Sequence, residues 1–462
     1  MQKCWCAEPL ERPSIREIYN EIIYRSYDEI FKETEDKRQE LLKSGKFIAK
    51  PMHPHSKTHS KSLNPTIDSL LLSLHRSFRF STSGSVNFFQ NIGSDSFNII
   101  YLDLSSKHLC DGAGQGIAMA LSNNNTLTNL NLGYNSLIDE AGITLAMALT
   151  KNVTFMCLNL KYNRLGNKAG TVLAEALCKN TTLTNLCLGG NNLGELAIKA
   201  FAKALYNNIT LTNLDLSYIK INGSTIKVFA EALTKNTALT NLNLSRNRLD
   251  LGCNKLGEST GKALAESLCK NTSLTSINLG SNQLDESAGK ALAEALCKNT
   301  TLTNLNLGDN KLGESAGKAL AEALCKNTTL TNLNLSDNKL GESAGEALAE
   351  ALCKNTTLTN LDFIVPSWLG ESAGKSLAEV LCKNTSLTNL NLGDNKLGES
   401  AGNSLTEVLC KNTSLINLNL SYNNLGESAG NALAETLCKN TSLTNLDLSW
   451  NKLGESAGKA LA

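Results

Sequence analysis

The sequence predicts an α/β fold, a curved solenoid of thirteen strand–turn–helix units with a parallel sheet inside and helices outside. Three observations carry this. A 28-residue phrase, typified by residues 302–329, recurs in close copies from residue 99 to residue 462. Inside each copy the hydrophobic period changes from two to 3.6. One copy alone has too little apolar surface to bury, whereas a stack of copies buries a continuous core.

The strand comes first in each unit. Leu302, Leu305 and Leu307 point inward, while Thr303, Asn304, Asn306 and Gly308 face out or line the turn. Asn310 follows in the turn, where a buried carboxamide bonds the bent backbone of its own unit and the next. Leu312 returns to the core. Ala316, Ala319, Leu320, Ala323 and Leu324 then mark one face of a helix. Glu314 and Ser315 suit its positive N-terminal turn; Lys326 and Asn327 suit its last turn and a left-handed C-terminal cap. Strands pair about 4.8 Å apart and helices about 8–10 Å, so the helical side is the longer arc.

The strand centres are Leu102, Leu130, Leu158, Leu186, Leu214, Leu242, Ile277, Leu305, Leu333, Leu361, Leu390, Leu418 and Leu446. Their spacing is 28 except at two places. Between Leu242 and Ile277 it is 35, where a seven-residue duplication ending at Leu256 is expected to bulge as a loop. Between Leu361 and Leu390 it is 29, where Phe363 to Trp368 replaces the usual phrase and Pro366 stands at the turn-Asn position.

The unit, with its pattern L-x-x-L-x-L-x-x-N-x-L, resembles the ribonuclease-inhibitor type of leucine-rich repeat, and its helix and return are most similar to the arms of NOD-like receptors. The resemblance covers about four-fifths of the chain. It implies a fold more firmly than a function, because such repeats serve inhibitors, sensors, GTPase activators and scaffolds alike.

Residues 1–24 stand apart. Cys4-Trp5, Pro9 and Arg12-Pro13, in the pattern C-W-x-x-x-P-x-x-R-P, resemble the last conserved block of a eukaryotic protein kinase domain. The glycine-rich loop, the phosphate-binding lysine and the H-R-D and D-F-G motifs are absent, so this chain is expected to be no enzyme. The resemblance implies a remnant, or the tail of a kinase–repeat fusion. A charged helix opened by a Ser14/Glu17 capping box is expected to run to about Lys43, so that residues 25–98 hold most of that helix and a Ser/His/Pro linker from about 46. Phe88 and Phe89 are candidates to fold over the open end of the first repeat. Residues 99–462 form the repeat domain, and its end at Ala462, inside a helix without a polar terminal cap, reads as a truncation.

Charge excludes several classes. Lys plus Arg number 44 against 43 Asp plus Glu, for a net charge of +1, and the first 50 residues hold ten of each sign. Neither nucleic acid nor an anionic membrane is an expected partner. No cofactor motif or small-molecule site is evident. His53, His55 and His59 read as polar linker before they read as a metal site, and His108 stands without a nucleophile set. Cys178, Cys269, Cys297, Cys325, Cys353, Cys382, Cys410 and Cys438 recur one helix spacing apart, too far for disulfides. They read as small packing residues of a reduced, cytoplasmic protein. The recurrent N-x-S/T sequons at Asn180, Asn271, Asn299, Asn327, Asn355, Asn384, Asn412 and Asn440 read as helix-capping positions, not glycosylation sites.

The candidate site is the column before the turn Asn, assigned here to the concave face. It varies where its neighbours are uniform: Tyr134, Tyr162, Gly190, Tyr218, Arg246, Ser281, Asp309, Asp337, Val365, Asp394, Tyr422, Trp450. Tyr, Trp and Arg are common interface anchors. Phe363 and Trp368 in the irregular unit form a second candidate patch. The function read from this is non-catalytic protein binding through the concave face; the alternatives are regulation of an enzyme by that face, and a fragment of an active kinase.

Overall fold

The computed structural model describes residues 100–461, apart from 220, 222, 248–255 and 365–368. The kinase-like block, the charged helix, the linker with its histidines, the duplicated loop and Trp368 lie outside the described residues. Among the described residues thirteen strands alternate with thirteen helices. They run from strand Tyr101–Asp103 and helix Asp111–Leu121 to strand Asn445–Asp447 and helix Gly454–Leu461. All strands join one curved parallel sheet in sequence order. Each is three residues long, and the thirteen predicted centres are its central residues.

Register follows from the repeat. Leu305 stands opposite Ile277 and Leu333. The 35- and 29-residue units leave this undisturbed, because Leu242 still meets Ile277 and Leu361 still meets Leu390. Extra residues are absorbed outside the sheet, as expected when one face of every strand is buried.

Behind the sheet runs one continuous hydrophobic core. In helix Gly313–Leu324, Ala316, Leu320, Ala323 and Leu324 are buried, but so are Gly317 and Ala321, and Ala319 is only half-buried. The buried face is wider than the periodicity predicts, because each helix packs against the sheet and against a helix on either side. Gly317 shows how close these neighbours come: a Cβ there would lie 2.6 Å from Ala344 Cβ, so only glycine fits.

The turn asparagines form a buried spine. Asn310 Nδ2 donates to the Leu279 and Leu307 carbonyls at 3.1 and 2.8 Å. Its Oδ1 accepts from the Asn282 and Leu284 amides at 3.0 and 2.9 Å. Asn395 breaks the pattern, since its buried Oδ1 accepts no hydrogen bond. In the sequence the preceding unit has Pro366 where other units have the turn Asn, and proline brings no N–H.

Helix ends depart from the sequence reading. Asn327 is not left-handed: it is absent from the residues with positive φ, and the equivalent Asn355 is extended at φ −80°, ψ 128°. Instead Asn327 is buried and caps through its side chain, donating to Leu296 O at 2.9 Å and accepting from Leu330 N at 2.8 Å. Seven of the eight sequon asparagines are buried in this way, with their amide nitrogens engaged, which leaves no room for a glycan. The first-turn acids also do more than face their own dipole. Asp111 Oδ1 accepts from Ile138 N and Ala141 N, at 2.9 and 3.0 Å, in the next unit. Asp139 does the same for Gly166 and Ala169, and Glu342 and Glu399 reach Ser372 N and Ser428 N. These units thus cap the helix that follows, whereas helix Glu286–Leu296 is capped by its own Asp285.

The repeat cysteines are free, but only Cys269 packs against the core. Cys178, Cys297, Cys325, Cys353, Cys382, Cys410 and Cys438 are exposed, and Cys269 is half-buried. They sit where the helix has already turned away from the core. No helix among the described residues is long and apolar enough to cross a membrane.

Candidate functional site

The variable column is set by backbone geometry. Every described member has positive φ: Tyr134 57°, Tyr162 52°, Tyr218 58°, Arg246 58°, Ser281 56°, Asp309 54°, Asp337 55°, Asp394 57°, Tyr422 56°, Trp450 57°, and Gly190 72°. The chain makes its turn out of the sheet here, and Gly or Asp is the usual solution. Their presence at Gly190 and Asp309 was the signal in the sequence, and it was not used.

Each member lies three residues beyond its strand, so the column runs along the rim of the sheet. The concavity itself, about 740 Å³ and open, is lined by strand residues of the last seven strands and includes no member of the column. Its asparagines largely satisfy one another, although Asp362 Oδ1 on the same floor is buried without a partner. Asn213 Nδ2 donates to Asn185 Oδ1 at 2.7 Å, and a second ladder runs through Asn332, Asn360, Asn389, Asn417 and Asn445. Amides bonded to each other have little left for discriminating a ligand.

On the rim the aromatics come together in two groups. Tyr134 and Tyr162 stack with centroids 4.6 Å apart and planes at 26°. Tyr162 leans across Gly190, where a Cβ would meet its ring at 2.5 Å, and reaches Tyr218 at 6.4 Å. Lys161 Nζ lies 5.6 Å from the Tyr162 centroid and is held by Asp215 at 3.1 Å. Burial alone would lower the Lys161 pKa; the Asp215 pairing overcomes it and the net shift is upward. The second group is Tyr422 on Trp450, 5.2 Å apart and 12° from parallel. Tyr134, Tyr218 and Trp450 are exposed by 55%, 54% and 74%.

Between the groups stand Arg246 and the acids. Asp337 is raised from its ordinary value by burial, then by Asp309 and Asp394. Asp362, on the strand beneath, is raised by burial. Two thiols at the N-terminal end of the floor went unnoticed in the sequence. Cys187 is pushed up to about 11 by burial and by Asp215, and burial also raises Cys157.

Phe363 is not a contact residue. It is 0% exposed and fills the place of Leu307 and Leu335 in the core, so the irregular unit keeps its packing. His108 sits exposed on a left-handed turn of the first unit. Among the described residues no group of three or more His, Cys, Asp or Glu could hold a metal ion.

Comparison with known proteins bears on the fold. A family model described as Leucine Rich repeat matches residues 123–146, 270–293, 298–321, 326–349, 383–402, 411–434 and 439–462. No curated protein matches the sequence. Among solved structures the chain is similar to an internalin from Listeria monocytogenes, at 18% identity and TM-score 0.49 over 84% of this chain and 95% of that one. It is similar to the leucine-rich repeat domain of APL1, at 18% and 0.41 over 79% and 78%. It is also similar to TLR13, in a complex with ssRNA13, at 19% and 0.41 over 79% and 52%. With seven matched segments spread along thirteen strands in one register, the fold is a leucine-rich-repeat solenoid.

Proposed function

We propose that the chain is a non-catalytic protein-binding arm, of the ribonuclease-inhibitor type of repeat, and that its partner lies along the rim and over the concave face. One observation carries this reading. Five aromatic side chains occupy left-handed positions where Gly or Asp serves elsewhere in the same column. A bulky residue there costs about 1 kcal/mol. Stacking between neighbours returns part of that, yet Tyr134, Tyr218 and Trp450 remain half or more exposed. Strain held at exposed aromatics is accounted for by an interface, where Tyr and Trp supply large rigid contacts. In a longer product with a kinase domain ahead of residue 1, the same rim would serve targeting.

The test separates binding from folding. Tyr134, Tyr162, Tyr422 and Trp450 are replaced together by Ala, and partner capture is compared with far-ultraviolet circular dichroism. Capture is expected to fall at least tenfold with the helical signal unchanged; equal capture removes the rim. Tyr218→Asn adds an opposite readout. It should raise the melting temperature, since Asn tolerates positive φ, while weakening capture.

A further inference from the structure

The near-neutral charge of the chain conceals a division between the two edges of the sheet. One edge is the rim, where strands end and helices begin. On the other, helices end and strands begin, through connections such as 149–157, 177–185 and 205–213. Twelve such connections join the thirteen units. None of them contains an acid, and ten place an exposed lysine after the helix, from Lys151 to Lys439. Among the described residues only Lys354 of these is ion-paired, to Glu350 at 2.8 Å. A cation at a helix C-terminus offsets the helix dipole, which accounts for the lysines. It does not account for the aliphatic side chains that stand among three of them. Val153 and Ile209 are exposed by 74% and 78%, and Met156 by 48%. Every other unit carries Asn or Thr at the place of Val153 and Ile209, as at Asn125, Thr181 and Thr237. The asparagine before each holds the loop. Asn152 Oδ1 accepts from the Thr154 and Phe155 amides at 2.9 and 2.8 Å, and Asn208 Oδ1 from those of Thr210 and Leu211 at 3.1 and 2.8 Å. The residue between is left pointing outward. On the outer helix faces nearby, exposed Met147 and Lys203 stand where Glu175, Glu231 and the later units have an acid.

The strands here pair without stagger, Leu130, Leu158, Leu186 and Leu214 standing in one row. The loops that lead into them therefore end at one level, and a flat surface can touch Val153 and Ile209 together across Thr181. These side chains stand on loop tips and line no groove, so they suit a fluid surface better than a shaped one. Exposed Tyr206, three residues before Ile209, is of a type that settles at a membrane–water boundary. We propose that this edge, between residues 147 and 209, docks on an anionic lipid bilayer. Val153, Met156 and Ile209 enter the headgroup layer, and Lys151, Lys179 and Lys203 pair with acidic headgroups. The net charge of +1 points away from a membrane only because the acids of the rim and helix starts cancel this edge in the sum. The proposal is independent of binding at the rim, which would face away from the bilayer.

Flotation of the full chain with phosphatidylcholine vesicles, with and without about 30% phosphatidylserine, tests this. The chain is expected to float only with phosphatidylserine, and to be released as salt is added. Val153→Thr with Ile209→Thr installs the residue that other units use, so the fold is kept, and vesicle affinity should fall about tenfold. Lys151→Gln with Lys179→Gln should weaken it as much and flatten the salt dependence. Lys311→Gln with Lys339→Gln, on the rim side, should change nothing. No flotation with phosphatidylserine, or flotation unaltered by both edge pairs, overturns the proposal. Flotation lost with the lysine pair but kept with the threonine pair also overturns it, and assigns the edge to an acidic polypeptide.

Discussion

At the scale of single residues the rim column holds two unlike solutions to one backbone problem. Asp309, Asp337 and Asp394 suit a left-handed turn by chemistry, but they crowd one another. Raised in the fold, the Asp337 carboxyl takes up its proton more readily in the native state than in the unfolded chain. Its charge therefore costs stability at neutral pH, and that cost fades as the pH falls through the carboxylate range. Asp337→Asn is expected to be more stable than the parent at pH 7, with the gap closing as the pH approaches the ordinary value of 3.8. Urea midpoints of both proteins across that range check it, and a pH-independent gap would mean that turn preference alone is at work. The aromatic members of the column present the reverse case, poor turn residues kept in spite of the backbone.

At the scale of the element, stability lies between units more than within them. The carboxylate of Asp139 belongs to one helix and caps the next, Asn167–Leu177. Asp139→Ala is expected to cost about 1 kcal/mol, read by denaturant unfolding, with faster amide exchange in 167–177 than in 139–149. The sequence showed an acid at most helix starts, and the dipole was a sufficient reason for it. Nothing in one unit shows that the oxygen reaches 27 to 30 residues onward. The same holds for the cysteines, whose helical periodicity could not tell a flank facing solvent from one facing a neighbour. Strand centres, register and the turn asparagines were legible because each is fixed by burial within a repeating frame. Phe363 was misplaced because an irregular phrase draws attention to its residues, although the leucine it replaces is a core residue in every regular unit.

At the scale of the whole molecule the solenoid is a linear lattice of nearest-neighbour contacts. Leu305, buried at 2%, sits near its middle. Leu305→Asp places an unpaired charge in the core and should unfold the central units, splitting the melt into two transitions. One cooperative melt at the parent temperature would refute the strand assignment.

Because Asn304, Asn332 and Asn360 succeed one another in identical register, a whole unit can be lost or gained without altering the strand register on either side. The two aromatic groups, Tyr218 and Tyr422, stand seven strands apart, roughly 34 Å along the sheet. Each unit added or removed would move them by one graduation of about 4.8 Å. The repeat number is thus a ruler that the fold leaves free, and the length it measures is set by whatever must touch both ends.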